Sequence, residues 1–362
     1  MLDAKAVAQQ LAQPFLSHGN YTFASTKRAD QRAGVSPAAT GGEAVDELLS
    51  EGFAGLAVQS VGYEEGAENP RVHVYIVKGS RRRIASISDP NYQVEVEVNR
   101  MGKLMVRPEQ ASSATNQGNV FVRKKRVACG SSCAPSAEQY AGTFGALVRK
   151  KASNDMYVLS NNHVLAACNH VPVGMPILAP GNMDGRPGER APGEIARHSE
   201  ICALASGEPA LVPPCREDVA IARVVDPALV TSWQGDISAG YDTPGVAASP
   251  VSGMRVKKFG RTTGMTTGTI EALINTPTAI PYRATHFTAT VWLIDVWTIR
   301  ADGGRPFALP GDSGSLVVTE DGAAAVGLVF APTPQGDYGW IVPMTHILTL
   351  FGGITLATKH GL

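Results

Sequence analysis

Gly142-Thr143-Phe144-Gly145-Ala146-Leu147-Val148 leads, after a short polar turn, into Met156-Tyr157-Val158-Leu159-Ser160, and these two runs decide how the chain is read. Each is of strand length and rich in apolar and β-branched residues. From about residue 139 onward similar runs recur roughly every eight to twelve residues between Gly/Pro turns. That rhythm predicts a mainly β architecture, a sandwich or a pair of barrels, running to the C-terminus. Composition agrees, with 38 glycines and 24 prolines among 362 residues and few long helical patterns. The hydrophobic fraction of 44% suits a substantial core, and the length allows about two or three domains. A formal net charge of zero gives no argument for nucleic acid or an anionic membrane surface as partner.

Upstream the character differs. Residues 1–42 read as a weakly structured segment, with a short amphipathic helix or frayed tail at its start. Asp3, Lys5, Gln9, Gln10 and Gln13 interrupt the apolar residues there, so no signal peptide is read. No apolar run approaches the roughly 20 residues that span a bilayer, and a cytoplasmic location is the expectation. Residues 43–56 carry Val45, Leu48, Leu49 and Phe53 at helical spacing. Two strand-like runs follow, 71–77 and 93–98. The second is expected to turn at Asn99-Arg100-Met101-Gly102 into Lys103-Leu104-Met105-Val106 as a hairpin. Together these predict a small α+β accessory domain over 43–108, in which His73 is an ordinary strand histidine and not a ligand. A linker over 109–138 contains the basic cluster Arg123-Lys124-Lys125-Arg126, a solvated patch or a point of proteolytic cleavage. The five cysteines are an odd count and fit free thiols as well as a disulfide framework. Cys129/Cys133 and Cys202/Cys215 are the pairs that could close locally. No metal-ligand pattern is complete, and no metal or cofactor is expected.

The chemistry is concentrated at Leu309-Pro310-Gly311-Asp312-Ser313-Gly314-Ser315-Leu316-Val317-Val318. A serine between glycines, running into an apolar strand, suits a nucleophile on a tight turn, although hairpin turns share this composition. The N–H groups of Gly311 and Ser313 can converge on one oxyanion. A serine hydroxyl needs a base. Of the eight histidines, His163 alone follows an apolar strand directly and opens a second apolar segment; His170 and His346 are the nearest rivals. An imidazolium needs a carboxylate to orient and stabilise it. Asp218 heads the apolar run Val219-Ala220-Ile221-Ala222, where a buried acid would be costly without a partner.

Ser160-Asn161-Asn162-His163-Val164-Leu165, Asp218-Val219-Ala220-Ile221-Ala222 and Gly311-Asp312-Ser313-Gly314 resemble, in that order, the three motifs of the chymotrypsin/trypsin-like serine proteases. The Leu-Ser-Asn-Asn-His form and Phe259-Gly260-Arg261-Thr262-Thr263-Gly264 are similar to a bacterial-type branch with an extra N-terminal domain. The resemblance covers about residues 139–355, leaving 356–362 as a tail. It implies a chymotrypsin-like double β-barrel, preceded here by the small α+β domain, and acyl transfer on protein or peptide substrates. His163, Asp218 and Ser313 would be the catalytic residues and the Gly311 and Ser313 N–H groups the oxyanion hole. It also implies that Phe307, six residues before the nucleophile, floors the specificity pocket, with Leu309 nearby and Phe330 on the strand lining the cleft. With no acid at 307, an apolar or small residue before the scissile bond is expected. Secreted members are activated by a cut whose new amino terminus pairs with the acid of Gly-Asp-Ser-Gly. No standard activation sequence is present, although Arg126-Val127-Ala128-Cys129 imitates one, and the partner of Asp312 is left open. The accessory domain would regulate or position the protease, or dock a partner. The competing readings are a catalytically silent binding module on the same fold and an α/β-hydrolase esterase, whose Gly-x-Ser-x-Gly and Ser–acid–His order this chain lacks.

Overall fold

Six strands in the C-terminal half close on themselves. Arg255–Gly260 pairs with Leu316–Thr319, and the order continues through Ala325–Pro332, Tyr338–Pro343, Val296–Ala301 and Gly264–Ile274. The last of these pairs back onto Arg255–Gly260, every pairing being antiparallel. Inward residues at alternate positions, among them Val256, Ile270, Ile299, Val317, Val329 and Ile341, fill this barrel. Closure removes the sheet edges that would otherwise need protection. This is a computed structural model, and it describes residues 3–16, 57–77, 82–89, 92–106, 109–110, 118–153, 155–185, 191–208 and 211–362.

The first half of the predicted β region forms a nine-stranded sheet. Its order is Ile354–Leu356, Ala146–Lys150, Met156–Ser160, Ala220–Val224, Gly193–Ile201, Pro176–Ala179, Ser132–Pro135, Tyr140–Thr143 and Glu109–Gln110. Phe144, Leu147, Val158, Ile177, Ala196 and Ala220 make its core. A larger cluster joins the two halves: Val148, Leu159 and Ile221 from the first meet Leu316, Leu328, Phe330 and Trp340 from the second. Each such fully buried aliphatic or aromatic side chain contributes about 1.5–3 kcal/mol, so the halves are held face to face by a continuous apolar seam.

Several sequence expectations change here. Within the segment expected as a linker over 109–138, Glu109–Gln110, Val122–Arg123, Arg126–Cys129 and Ser132–Pro135 are strands. Arg126–Cys129 pairs in parallel with Val230–Gln234, and Ser132–Pro135 pairs antiparallel with Pro176–Ala179. Val127, Cys129 and Cys133 are fully buried there, which outweighs the polar character of the segment before them. The tail is also docked: Ala357 is buried, its N–H donates to the Leu147 carbonyl, and the Ser232 N–H donates to the His360 carbonyl.

At the N-terminus, Ala4–Leu16 is a helix with Val7, Ala8 and Leu11 buried against Val58–Tyr63 and Val72–Ile76. The short amphipathic helix expected at the chain's start is thus present and packed, and the rest of the segment expected over 1–42 lies outside the described residues. The helix expected over 43–56 lies outside the described residues. Strand Tyr92–Arg100 pairs in parallel with Val72–Ile76 and antiparallel with Arg82–Asp89, a strand missed in the sequence. The predicted hairpin at 99–102 does not form. Met101, Leu104 and Val106 instead run into the inter-barrel cluster, all fully buried. That burial exceeds what a solvent-facing hairpin return would gain. Val58–Tyr63 joins this group to the closed barrel through a Tyr63–Leu273 pairing, so the strands of the expected accessory domain extend the second barrel's ten-stranded sheet. Among the described residues no helix is long and apolar enough to cross a membrane. All five cysteines are free thiols.

Candidate active site

Strand register builds the site. Met156–Ser160 pairs with Ala220–Val224 so that Ser160 lies opposite Ala220. The residues just past these paired ends, His163 in the short helix Asn162–Leu165 and Asp218 before its strand, are thereby brought together. Both side chains are wholly buried. His163 Nδ1 lies 2.5 Å from Asp218 Oδ2, and the His163 N–H donates to Asp218 Oδ1 at 3.1 Å. A carboxylate only accepts, so the imidazole proton sits on Nδ1 and the Nε2 lone pair is free. Nε2 is buried and has no partner among the described residues, which is uncommon for a buried polar atom. His170 binds the Cys168 carbonyl through Nδ1 and His346 binds Glu217 Oε2 through Nε2, so neither rival joins Asp218. His73, expected as an ordinary strand histidine, is buried in a network with Glu64 and Asn99.

Ser313 sits on the turn before strand Leu316–Thr319. Gly311 and Gly314 have φ of 95° and 93°, the left-handed region that glycine enters without strain. This turn is bonded to the first half: the Thr143 N–H donates to the Ser313 carbonyl at 2.8 Å, and Thr143 Oγ1 to the Gly311 carbonyl at 2.9 Å. The Ser313 hydroxyl donates to the Phe330 carbonyl at 3.2 Å. Within the described residues the N–H groups of Gly311 and Ser313 donate to nothing. Two free N–H groups on one tight turn are a ready acceptor site for a developing negative charge.

Asp312, whose partner was open, points away from the nucleophile into the second barrel. It is wholly buried, 3.5 Å from Lys258 Nζ, which is equally buried. Four further donors surround it: the Thr262 and Thr263 N–H groups on Oδ1 at 2.8 and 3.1 Å, and Thr263 Oγ1 and the Leu309 N–H on Oδ2 at 2.8 and 2.9 Å. Burial pulls the Lys258 ammonium below its ordinary value, and the Asp312 carboxylate opposes that. Next to it, Arg261 reaches across to the first half, donating to both oxygens of Asp184 at 2.8 and 2.6 Å. Burial would raise the Asp184 carboxyl, but the Arg261 bonds outweigh it and hold it below the ordinary carboxylate range.

Of the residues expected around the specificity pocket, Phe307 is placed in the core of the second barrel, fully buried with Ile299 and Ile341. Gly268 and Gly339 leave the room its ring occupies. Leu309 is partly exposed. Phe330 is buried in the seam, edge-on to Trp340, and contributes its carbonyl to Ser313. A cavity of about 390 Å³ opens beside the loop before Phe307, lined by Arg100, Arg300, Arg305, Pro306 and Asp337 among others, and includes no triad residue.

Sequence reasoning missed Lys258, Tyr282 and Thr143. Lys258 was legible: Val256, Lys258 and Gly260 alternate inward on one strand, so a lysine occupies a core position. Tyr282 donates its hydroxyl to Asp218 Oδ2 at 3.0 Å; it alternates with Ile280 on Thr278–Ala284, but nothing in its sequence neighbourhood names its partner.

A closed antiparallel barrel, a second β half packed on it, and a His–Asp pair and glycine-flanked serine at their seam define a chymotrypsin-like, double-barrel serine-protease fold. Solved structures similar to the chain include Thermobifida fusca protease A, at 19% identity over 64% of this chain and 100% of that one, with a TM-score of 0.43. Nocardiopsis protease follows at 16% identity, 64% and 98% coverage and a TM-score of 0.43. Cellulomonas bogoriensis chymotrypsin is 18% identical, with 64% and 98% coverage and a TM-score of 0.41. No protein-family model matches the sequence, and no curated protein matches it.

Proposed function

We propose that the chain is a serine endopeptidase acting through His163, Asp218 and Ser313. The observation that carries this is the buried His163 Nε2, a lone pair without a partner among the described residues, at the seam that also holds Ser313. On substrate binding Ser313 exchanges the Phe330 carbonyl for Nε2, attacks the scissile carbonyl, and passes its proton to His163. Asp218 stabilises the imidazolium that results. The N–H groups of Gly311 and Ser313 receive the oxyanion. His163 then delivers the proton to the leaving amine, and water repeats the sequence on the acyl-enzyme. No cofactor takes part.

The substrate is a protein or peptide whose residue before the scissile bond is apolar or small; Leu309, partly exposed beside the serine turn, offers no acid to a basic side chain. The site is complete without a cut after Arg126. Val127 is a buried strand residue, and Asp312 already has its cation and four other donors. The residues N-terminal to the barrels act as a positioning module, packed on the second barrel through the Met101–Val106 stretch. The catalytically silent alternative predicts no reaction with a serine-directed phosphonate.

The test is labelling by such a probe followed by cleavage of a peptide library. Labelling should vanish in Ser313→Ala. Turnover should fall at least about 10⁴-fold in His163→Ala, as when a nucleophile loses its base. Labelling that survives Ser313→Ala, or preferred cleavage after Arg or Lys, would overturn the reading of the nucleophile or of the pocket respectively.

A further inference from the structure

Asp218 holds more than its histidine. Its Oδ2 accepts from both His163 Nδ1 and the Tyr282 hydroxyl, and the rings of His163 and Tyr282 meet edge to face with centroids 6.0 Å apart. We propose that Tyr282 is a positioning residue for the triad, and that the stretch ending at Val106 holds it in place; this rests on the protease reading above. The phenol sits on Thr278–Ala284, whose partner strand is Phe287–Leu293, a hairpin outside the closed barrel. Two bonds fix Tyr282 from the N-terminal side: the Val106 N–H donates to the Pro281 carbonyl at 2.9 Å, and the Arg283 N–H donates to the Val106 carbonyl at 2.9 Å. They bracket the tyrosine on the chain. Farther along, Gln59 Nε2 donates to the Ala279 carbonyl at 3.0 Å.

The chemistry follows from where the lone pairs lie. Asp218 is buried and, among the described residues, contacts no cation, so its charge is borne by the three hydrogen bonds found there: two from His163 and one from Tyr282. The phenol stays protonated, since burial first and the Asp218 charge second push it well above its ordinary value. Other titratable groups close by include the thiols of Cys168, Cys202 and Cys215, all raised chiefly by burial and so uncharged. The tyrosine therefore does two things. It fixes the carboxylate plane so that Oδ2 faces Nδ1, and it draws off part of the charge that stabilises the imidazolium.

Tyr282→Phe keeps the ring and removes only the donor, which separates these roles from packing. The expected result is a fall in kcat of roughly 10-fold, from one lost charge-assisted hydrogen bond, with KM unchanged. With the full carboxylate charge facing it, the imidazolium is better stabilised, and the acid limb of kcat/KM should move to higher pH. The low-field proton resonance of the His163 Nδ1–H···Asp218 bond should move as well, and this needs no turnover. Val106→Pro deletes the N–H that reaches Pro281 and should shift the same resonance and the same limb, by less. An unmoved resonance in Tyr282→Phe, with an unmoved acid limb and only a lower unfolding midpoint, would overturn the assignment. A protein that shows the resonance shift but no phosphonate labelling would sink the protease reading and leave the tyrosine's role standing.

Discussion

Replacing Lys258 by methionine is the sharpest perturbation of the nucleophile turn. The lysine lies wholly inside the second barrel, 3.5 Å from Asp312 and donating to Thr263 Oγ1 at 2.7 Å. At that separation and an effective dielectric constant of about 20, the attraction is about 5 kcal/mol. Removing the ammonium also removes its own burial penalty, so the net loss is smaller. The four remaining donors to Asp312 soften it further. Breaking a buried pair from one side typically costs about 3–5 kcal/mol, and the lower end, about 3 kcal/mol, is the expectation here. Activity should fall further than stability implies. Asp312 neighbours Gly311 and Ser313, whose N–H groups are the proposed oxyanion donors, and misplacing one such donor costs about 100-fold or more in rate. Urea midpoints at constant slope would give the first number and phosphonate labelling rates the second. Asp312→Asn and the double variant complete a cycle, and a coupling near 2 kcal/mol is expected for a contacting charged pair. A Lys258→Met protein within about 0.5 kcal/mol of the parent, labelling at the parent rate, would refute the argument that this ion pair sets the turn.

Gly260→Ala tests the same region by volume. An added Cβ would fall against Asp312 Oδ1 and within 2.7 Å of Ser315 Oγ, so a loss of about 3 kcal/mol and of labelling is expected; a variant that melts with the parent would show that the turn can shift. On the N-terminal strands, burial alone would raise the Glu64 carboxyl, but the hydrogen bonds from His73 and Arg71 outweigh it and hold it at about 2, against an unperturbed 4.5. Its contribution is then present above pH 4.5 and is lost as the pH falls toward 2. The shift corresponds to about 3 kcal/mol, and the half-exposed Arg71 discounts it to about 2 kcal/mol. Glu64→Gln should flatten the stability–pH curve across that window; urea midpoints that track the parent's in parallel from pH 5 to 2 would dismiss it.

The short apolar runs at 142–148 and 156–160, bounded by turn residues, carried the fold, because a strand buried on both faces reads as a continuous apolar run. Spacing pointed to His163, Asp218 and Ser313 as the proposed catalytic residues, because each stands at a strand end that tertiary pairing brings to one seam. What failed was long-range. Leu104 and Val106 look like a hairpin return when only their neighbours are considered; their real partner is a cluster drawn from both barrels. Phe307 was placed by its distance from the nucleophile, and its ring went to the gap left by Gly268 and Gly339, positions far away in sequence. Tyr282 lies 64 residues from Asp218, and a tyrosine on an alternating strand has no local feature that distinguishes a core residue from one bonded to an acid.

Lys258 is the instructive case, because both halves of the answer were in the sequence. An inward lysine on a barrel strand is untenable without an acid, and Asp312 was an acid on a glycine turn without a cation. Pairing them needs no knowledge of the fold beyond the inference that both face one interior. The same logic applied to Asp218 shows why its solution differs. Asp312 is matched by a full charge and serves to fix backbone. Asp218 is matched by neutral donors from His163 and Tyr282, which leaves its charge available to an imidazolium. A salt bridge at Asp218 would hold that carboxylate as firmly but would quench the field that His163 needs. The two buried acids of the site are thus partnered oppositely, a cation where rigidity is required and hydrogen bonds where charge is to be used.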